Sequence, residues 1–218
     1  MTELTLPLAL EITARTLRVS ASALVVSLGL GVPLGIALGR RRFAGRNATI
    51  SLVNAGMGAP PVVVGLAVAL LLWRTGPLGG LRLMYTPEAM VLAQIVIALP
   101  LVIGITLAAA GALEDDWDLQ VRTLGIPPLW RLWLLLREIR LGLLAAVVAA
   151  LGGILSEVGA VMMVGGNLAG ETRVLTTSIL MYTQMGQFEL AIALATILLG
   201  LMLVLAGLLT AVQQSGRR

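Results

Sequence analysis

The sequence predicts an all-α polytopic membrane helix bundle with about five transmembrane helices, in a single domain over residues 1–218. Three observations carry that prediction. Hydrophobic residues make up 58% of the chain and charged ones 12%, against roughly 45–50% and about 25% in soluble domains, so there is too little charge to coat a water-soluble surface. Five apolar runs reach the roughly 20 residues a helix needs to cross a hydrocarbon core about 30 Å thick. Arginines flank those runs rather than interrupt them.

The runs are 19–39, 50–73, 89–113, 141–164 and 190–212, and only the fourth holds a charge, Glu157. Backbone groups in hydrocarbon must be satisfied within their own segment, so each run is expected to be helical. The alternating pattern of an outer-membrane barrel is missing. Met1–Ser20 carries Glu3, Glu11, Arg15 and Arg18 without a small-residue cleavage site, and so does not read as a signal peptide. With five spans, the segments 40–46, 114–140 and the tail Arg217-Arg218 share one side and hold ten arginines against five on the other. The positive-inside rule then sets the N-terminus outside and the C-terminus in the cytoplasm. The same distribution argues against nucleic acid as the reason for a pI near 10.9.

Small residues recur every four positions at Gly31-Gly35-Gly39, Gly104-Ala108-Ala112 and Gly152-Ser156-Ala160. That spacing lets helix backbones approach closely, either inside the bundle or at a subunit interface. Pro33, the pair Pro60-Pro61 and Pro100 fall within three spans, where each removes a backbone donor and favours a kink. Interrupted spans suit a bundle that rearranges around a pathway, which singles out Pro60 and Pro61.

Residues 114–140 form the long polar loop. Its start is acidic (Glu114, Asp115, Asp116, Asp118), and Leu119-Gln120-Val121-Arg122-Thr123-Leu124-Gly125 reads as a short helix with a glycine stop. Pro127-Pro128 then opens an amphipathic second helix over 129–140. On composition alone this is equally an interfacial hairpin with no partner. At these residues the sequence resembles the permease subunits of ATP-binding-cassette importers. Their loop carries Glu-Ala-Ala, three residues, Gly, nine residues, then Ile-x-Leu-Pro. Gly125 matches, preceded by Arg122-Thr123-Leu124, and Leu135 stands for the Ile. Leu119, Gln120 and Val121 depart from Glu-Ala-Ala, and Arg137 and Glu138 depart from Leu and Pro. The segments 151–160 and Gly165-Gly166-Asn167 are similar to those of molybdate and tungstate permeases, as is the proline-rich 59–66. Residues 172–177 and 186–193 look most like the tungstate branch.

The resemblance implies a cytoplasmic coupling-helix loop at 114–140, with Leu119, Gln120, Val121, Arg122 and Gly125 meeting an ATPase. It implies two ATPase subunits, an extracytoplasmic solute-binding protein and a second copy of this chain, in a prokaryotic plasma (inner) membrane. The substrate it implies is an oxyanion, tungstate first and molybdate second, with sulfate, phosphate or another small solute as alternatives. No cofactor would be bound by this chain, and ATP and Mg would sit on the partner.

The residue inventory agrees with that division of labour. The chain has no Cys, His or Lys, which excludes thiolate, Cys/His-metal, histidine-base and Schiff-base chemistry and a phosphate-loop lysine. Ser156 beside Glu157 is the one adjacent polar pair within a span, and no base accompanies it, so an intramembrane enzyme is not expected. A stand-alone carrier would have to rely on Glu157. An acid inside a span costs about 2.5–3.5 kcal/mol on insertion scales, so Glu157 needs protein or a water-filled cavity around it. Three readings stand: a pair with an arginine such as Arg173, bonds to polar groups of the bundle, or a place on the pathway or gate. Residues 165–187 supply Asn167, Thr172, Arg173, Thr176 and Thr177, the donor types a desolvated tetrahedral anion needs, partly on a short interfacial helix. The alternative is a capped surface loop that docks the binding protein.

Overall fold

The computed structural model describes residues 6–114 and 116–215; Glu3, Asp115, Arg217 and Arg218, used above, lie outside the described residues. Among the described residues the chain forms α1 (Leu6–Arg40), α2 (Arg46–Met57), α3 (Pro61–Leu72), α4 (Pro87–Gly111) and α5 (Trp117–Thr123). It continues with α6 (Pro128–Glu138), α7 (Arg140–Ser156), α8 (Gly159–Gly165), α9 (Leu175–Gln184) and α10 (Phe188–Ser215), and no strand is formed among the described residues.

Three helices, α1, α4 and α10, are each long and apolar enough to cross a membrane, and the total reaches five only if two bent pairs count as one span each. The expected second span is broken: α2 and α3 meet at 105°. Ala59 and Pro60 each precede a proline, which disfavours helical geometry at both. Pro60 is extended (φ −61°, ψ 123°) and Pro61 restarts the helix as its first residue. The expected fourth span ends early as well. α7 stops at Ser156, Glu157 is extended (φ −75°, ψ 124°), and α8 restarts at Gly159. At its other end α7 bends by 65° from α6. Pro33 and Pro100, by contrast, lie inside α1 and α4, which run on through them. Of the three expected proline interruptions, only Pro60-Pro61 divides a helix.

The centre of the fold is α1 against α4. A buried face of mostly small residues runs from Ala9 through Ile12, Thr16, Ser20, Ala23, Ser27, Gly31 and Gly35 to Leu38. A Cβ added at Gly31 would lie 2.6 Å from Val102 Cγ1, one at Gly35 2.6 Å from Thr106 Cβ, and one at Gly39 2.9 Å from Ala110 Cβ. The first glycine series is therefore internal packing. The second divides: Gly104 backs onto Met57 of α2, whereas Ala108 and Ala112 are exposed. The third is not a single face, because the helix break separates Gly152 and Ser156 from Ala160. α1 also begins thirteen residues before the expected first span. At 1.5 Å per residue its 35 residues extend about 52 Å, well beyond the hydrocarbon core.

Candidate functional site

The two discontinuities face each other. Gly65 of α3 packs so tightly on α8 that a Cβ there would lie 2.9 Å from the Ala160 Cβ, and one at Gly159 would lie 2.9 Å from Val62 Cγ2. Two half-helices, each starting at a break, thus pair through their smallest residues. Pro60 and Pro61 stand at the exposed head of this pair.

Glu157 is 7% exposed and forms the turn of the second break. Its Oε1 accepts the Ala160 N–H at 2.8 Å, so the carboxylate satisfies an otherwise orphaned donor of α8. Its carbonyl accepts the Thr176 hydroxyl at 3.1 Å. Gln94 of α4 donates through Nε2 to the Ile154 carbonyl at 3.4 Å, one turn before the break. The expected alternative of an ion pair between Glu157 and Arg173 is not formed among the described residues. Arg173 instead donates to the Asn167 carbonyl at 3.4 Å. Of the three readings for Glu157, the one with bonds to polar groups of the bundle is met by this geometry.

The segment 165–187 is less open than expected. Thr172 is fully buried, its hydroxyl donating to the Gly165 carbonyl and accepting the Leu168 N–H at 2.9 Å. Thr177 Oγ1 lies 3.1 Å from both the N–H and the carbonyl of Val174 and closes the first turn of α9. α9 buries Leu175, Thr176, Thr177, Ser178 and Tyr182 and leaves Leu180, Thr183 and Gln184 exposed. It packs in a cluster with Ile12 of α1 and Leu194 of α10. Asn167 takes a left-handed turn (φ 53°), donates to Met181 Sδ at 3.4 Å, and keeps its side-chain oxygen without a partner. Arg173 Nε is likewise buried and unpartnered. Asn167 Oδ1 and Arg173 Nε are the buried side-chain atoms of this group left without a partner.

At another end of the chain's path, α5 projects from the bundle. Leu119 is 63% exposed and Leu124 75%; Gln120 and Arg122 are exposed, and Val121 is the buried anchor. Gly125 follows with φ +68°, donating to the Arg122 carbonyl at 3.0 Å; a Cβ there would meet nothing, so the glycine serves the left-handed turn rather than space. On α6, Leu129, Trp130, Leu132 and Trp133 are also exposed, with the two indoles edge to face at 5.8 Å. Together they make a projecting apolar ledge.

Comparison with known proteins decides the family. Residues 31–218 match the family described as "Binding-protein-dependent transport system inner membrane component". The chain belongs to that family of ABC-importer permease subunits. A "Probable anion ABC transporter permease protein" of Haloferax volcanii is 41% identical over 206 residues, covering 92% of this chain and 89% of the relative. A "Tungstate uptake system permease protein TupB" of Peptoclostridium acidaminophilum is 40% identical over 181 residues, covering 83% and 79%. Among solved structures, an inward-facing form of the MetNI methionine ABC transporter covers 100% of both chains with a TM-score of 0.76 at 19% identity, a likeness of fold.

Two features of this permease subunit went unread in the sequence. Arg15 donates to the carbonyls of Gly170 (2.7 Å) and Arg173 (3.1 Å), and Thr16 Oγ1 accepts the Leu175 N–H at 2.9 Å, so the extension of α1 fastens the segment before α9. The small-residue periodicity of α1, continued back through Thr16 and Ile12 to Ala9, was the available signal. The second is Arg40, which donates to Asp118 of α5 and to the carbonyls of Ala110, Leu113 and Glu114. Nothing local in the sequence pairs residues so far apart.

Proposed function

We propose that this chain forms the membrane pathway of an ATP-driven importer for a tetrahedral oxyanion, tungstate first and molybdate second. The observation that carries the reading is the 40% identity to a tungstate permease across 83% of the chain, joined by 41% to an anion permease. A working unit would comprise two copies of the chain, two ATPase subunits that hold ATP and Mg, and a solute-binding protein outside. The chain itself is non-catalytic and binds no cofactor. It lies with its N-terminus outside and the α5 end in the cytoplasm, as the arginine asymmetry supports.

In this reading α5 is the coupling helix. Leu119, Gln120, Arg122 and the Gly125 turn meet the ATPase, while Val121 roots the helix in the bundle. The pathway is gated where α3 and α8 pair. Pro60 and Pro61 free one half-helix from α2, and Glu157 latches the other by its bond to the Ala160 N–H. An ionised carboxylate repels an oxyanion, so Glu157 acts on the gate rather than on the cargo. Arg173 through its guanidinium and Asn167 through its amide N–H groups offer weak, transient contacts, and Thr172, Thr176 and Thr177 hold the segment that presents them. Tight selection belongs to the binding protein.

The test is uptake of tungstate into proteoliposomes holding the permease, its ATPase and its binding protein. ATP-dependent uptake, competed by molybdate more strongly than by sulfate, is the expected result. Charge reversal of Arg122 should abolish uptake while the protein remains inserted. Absence of tungstate and molybdate uptake alike would overturn the oxyanion reading.

A further inference from the structure

We propose that the corner between α1 and α2 binds an anionic phospholipid, with its headgroup phosphate held by Arg41 and Arg46 and its acyl chains along Leu30 and Leu34. The inference does not rest on the oxyanion reading. A pocket of about 850 Å³ opens at this corner, lined by Arg40, Arg41, Arg42, Arg46, Asn47 and Asp118 among others. Among the described lining residues Asp118 is the acid, and Arg40 already pairs with it at 2.9 Å. Arg41 and Arg46, neither of them paired with an acid among the described residues, add positive charge to the pocket.

Two of them have donors to spare. Arg41 makes no side-chain bond among the described residues, and Arg46 commits only Nε, to the Leu38 carbonyl at 2.8 Å. Guanidinium groups suit a phosphate because their planar forks donate in pairs. Basic pockets between membrane helices are the recognised chemistry for anionic headgroups.

The helix register favours a lipid over a free phosphate. Arg41 directly follows α1, and its N–H still bonds the Ala37 carbonyl at 3.0 Å, so its position continues the helical register. Residues seven and eleven positions apart share a helix face, which sets Arg41 in line with Leu34 and Leu30. Those leucines are 49% and 51% exposed, and Phe43 beside the pocket is 50% exposed. An apolar track leading to an uncommitted guanidinium matches a molecule that is apolar at one end and anionic at the other. A soluble anion has no use for the track.

The experiment is native mass spectrometry of the full-length permease, alone and assembled with its ATPase, extracted from bilayers of equal phosphatidylglycerol and phosphatidylcholine. Phosphatidylglycerol should be retained preferentially, and Arg41→Gln should weaken retention about fivefold. Arg41→Gln has no intrachain bond to lose, so its fold should be intact by thermal melting. Adding Arg46→Gln should abolish the preference, whereas Arg82→Gln, in the loop between α3 and α4, should leave it unchanged. Leu30→Ala with Leu34→Ala should also reduce retention. Three results would overturn the proposal: an undiminished preference in the double arginine variant, complete displacement by inorganic phosphate regardless of Leu30 and Leu34, or loss of the lipid when the ATPase binds, which would make the corner a subunit interface.

Discussion

Arg40, the last residue of α1, donates through Nε and Nη2 to a single carboxylate oxygen of Asp118, the second residue of α5, at 3.1 and 2.9 Å. The same guanidinium lies 5.9 Å from the Trp117 ring centroid and reaches the carbonyls of Leu113 and Glu114 at 3.2 and 3.3 Å. Those carbonyls sit where α4 ends and α5 begins. One side chain therefore ties the ends of the two central helices to the projecting helix.

This geometry predicts an asymmetry. Arg40→Ala removes every arm of the tie and leaves helix-end carbonyls unpaired, each worth about 1–3 kcal/mol where buried. Asp118→Asn removes only the charge from an acid that is 45% exposed, so its cost is small. Thermal unfolding in detergent should rank Arg40→Ala well below Asp118→Asn. Arg40→Lys should fall near alanine, because an ammonium cannot reproduce the fork. Equal effects at the two positions would disprove the tie.

Gly35 tests the α1–α4 interface. An added Cβ would lie 2.6 Å from Thr106 Cβ and 2.8 Å from the Ile103 carbonyl, so Gly35→Ala should destabilise by about 1–3 kcal/mol through overpacking. Gly29 lies on the same helix with nothing within reach of a Cβ, and Gly29→Ala should be neutral or slightly stabilising. Comparison of the two melting temperatures in the same detergent gives the answer directly.

Glu157 separates a latch from a charge. Glu157→Gln keeps an oxygen able to accept the Ala160 N–H and should fold normally, with uptake within about threefold of wild type. Glu157→Ala leaves that buried donor unpaired and should lose about 1–3 kcal/mol of stability. A well-folded glutamine variant without uptake would instead assign the carboxylate charge itself to transport.

Gly125 gives a conformational test of the α5 turn. Its φ of +68° costs an ordinary residue about 1–2 kcal/mol but is tolerated by asparagine. Gly125→Asn should retain ATPase binding and transport, and Gly125→Val should lose both while remaining in the membrane. Equal behaviour of the two variants, read by co-purification of the ATPase, would contradict a role for the turn.

The membrane class, the short helix that ends at Gly125 and the presence of a close-packing face at Gly31, Gly35 and Gly39 were legible because each is written in local sequence: uncharged runs, a glycine stop, and glycines four apart. The breaks were legible in part. Pro60-Pro61 divides its helix because two successive residues precede a proline, whereas single prolines at 33 and 100 are absorbed by packed helices. The break at Glu157 carries no proline. It depends on a side-chain bond within the turn and on Thr176 from a later helix, which no local pattern announces. The hydroxyls of Thr172 and Thr177 read as exposed donors because burial of α9 is decided by distant partners, Ile12 and Leu194. Arg40 and Asp118 lie 78 positions apart, and an arginine beside an apolar run reads first as a membrane flank.

The proposed role of α5 is to couple this permease to an ATPase. The most direct measurement is a mild-detergent pull-down of the tagged chain from native membranes, with mass spectrometry of its companions. An ABC ATPase in stoichiometric amount is expected, lost on charge reversal of Arg122 while the permease remains inserted. A stable preparation without an ATPase, moving solute unaided in liposomes, would contradict it.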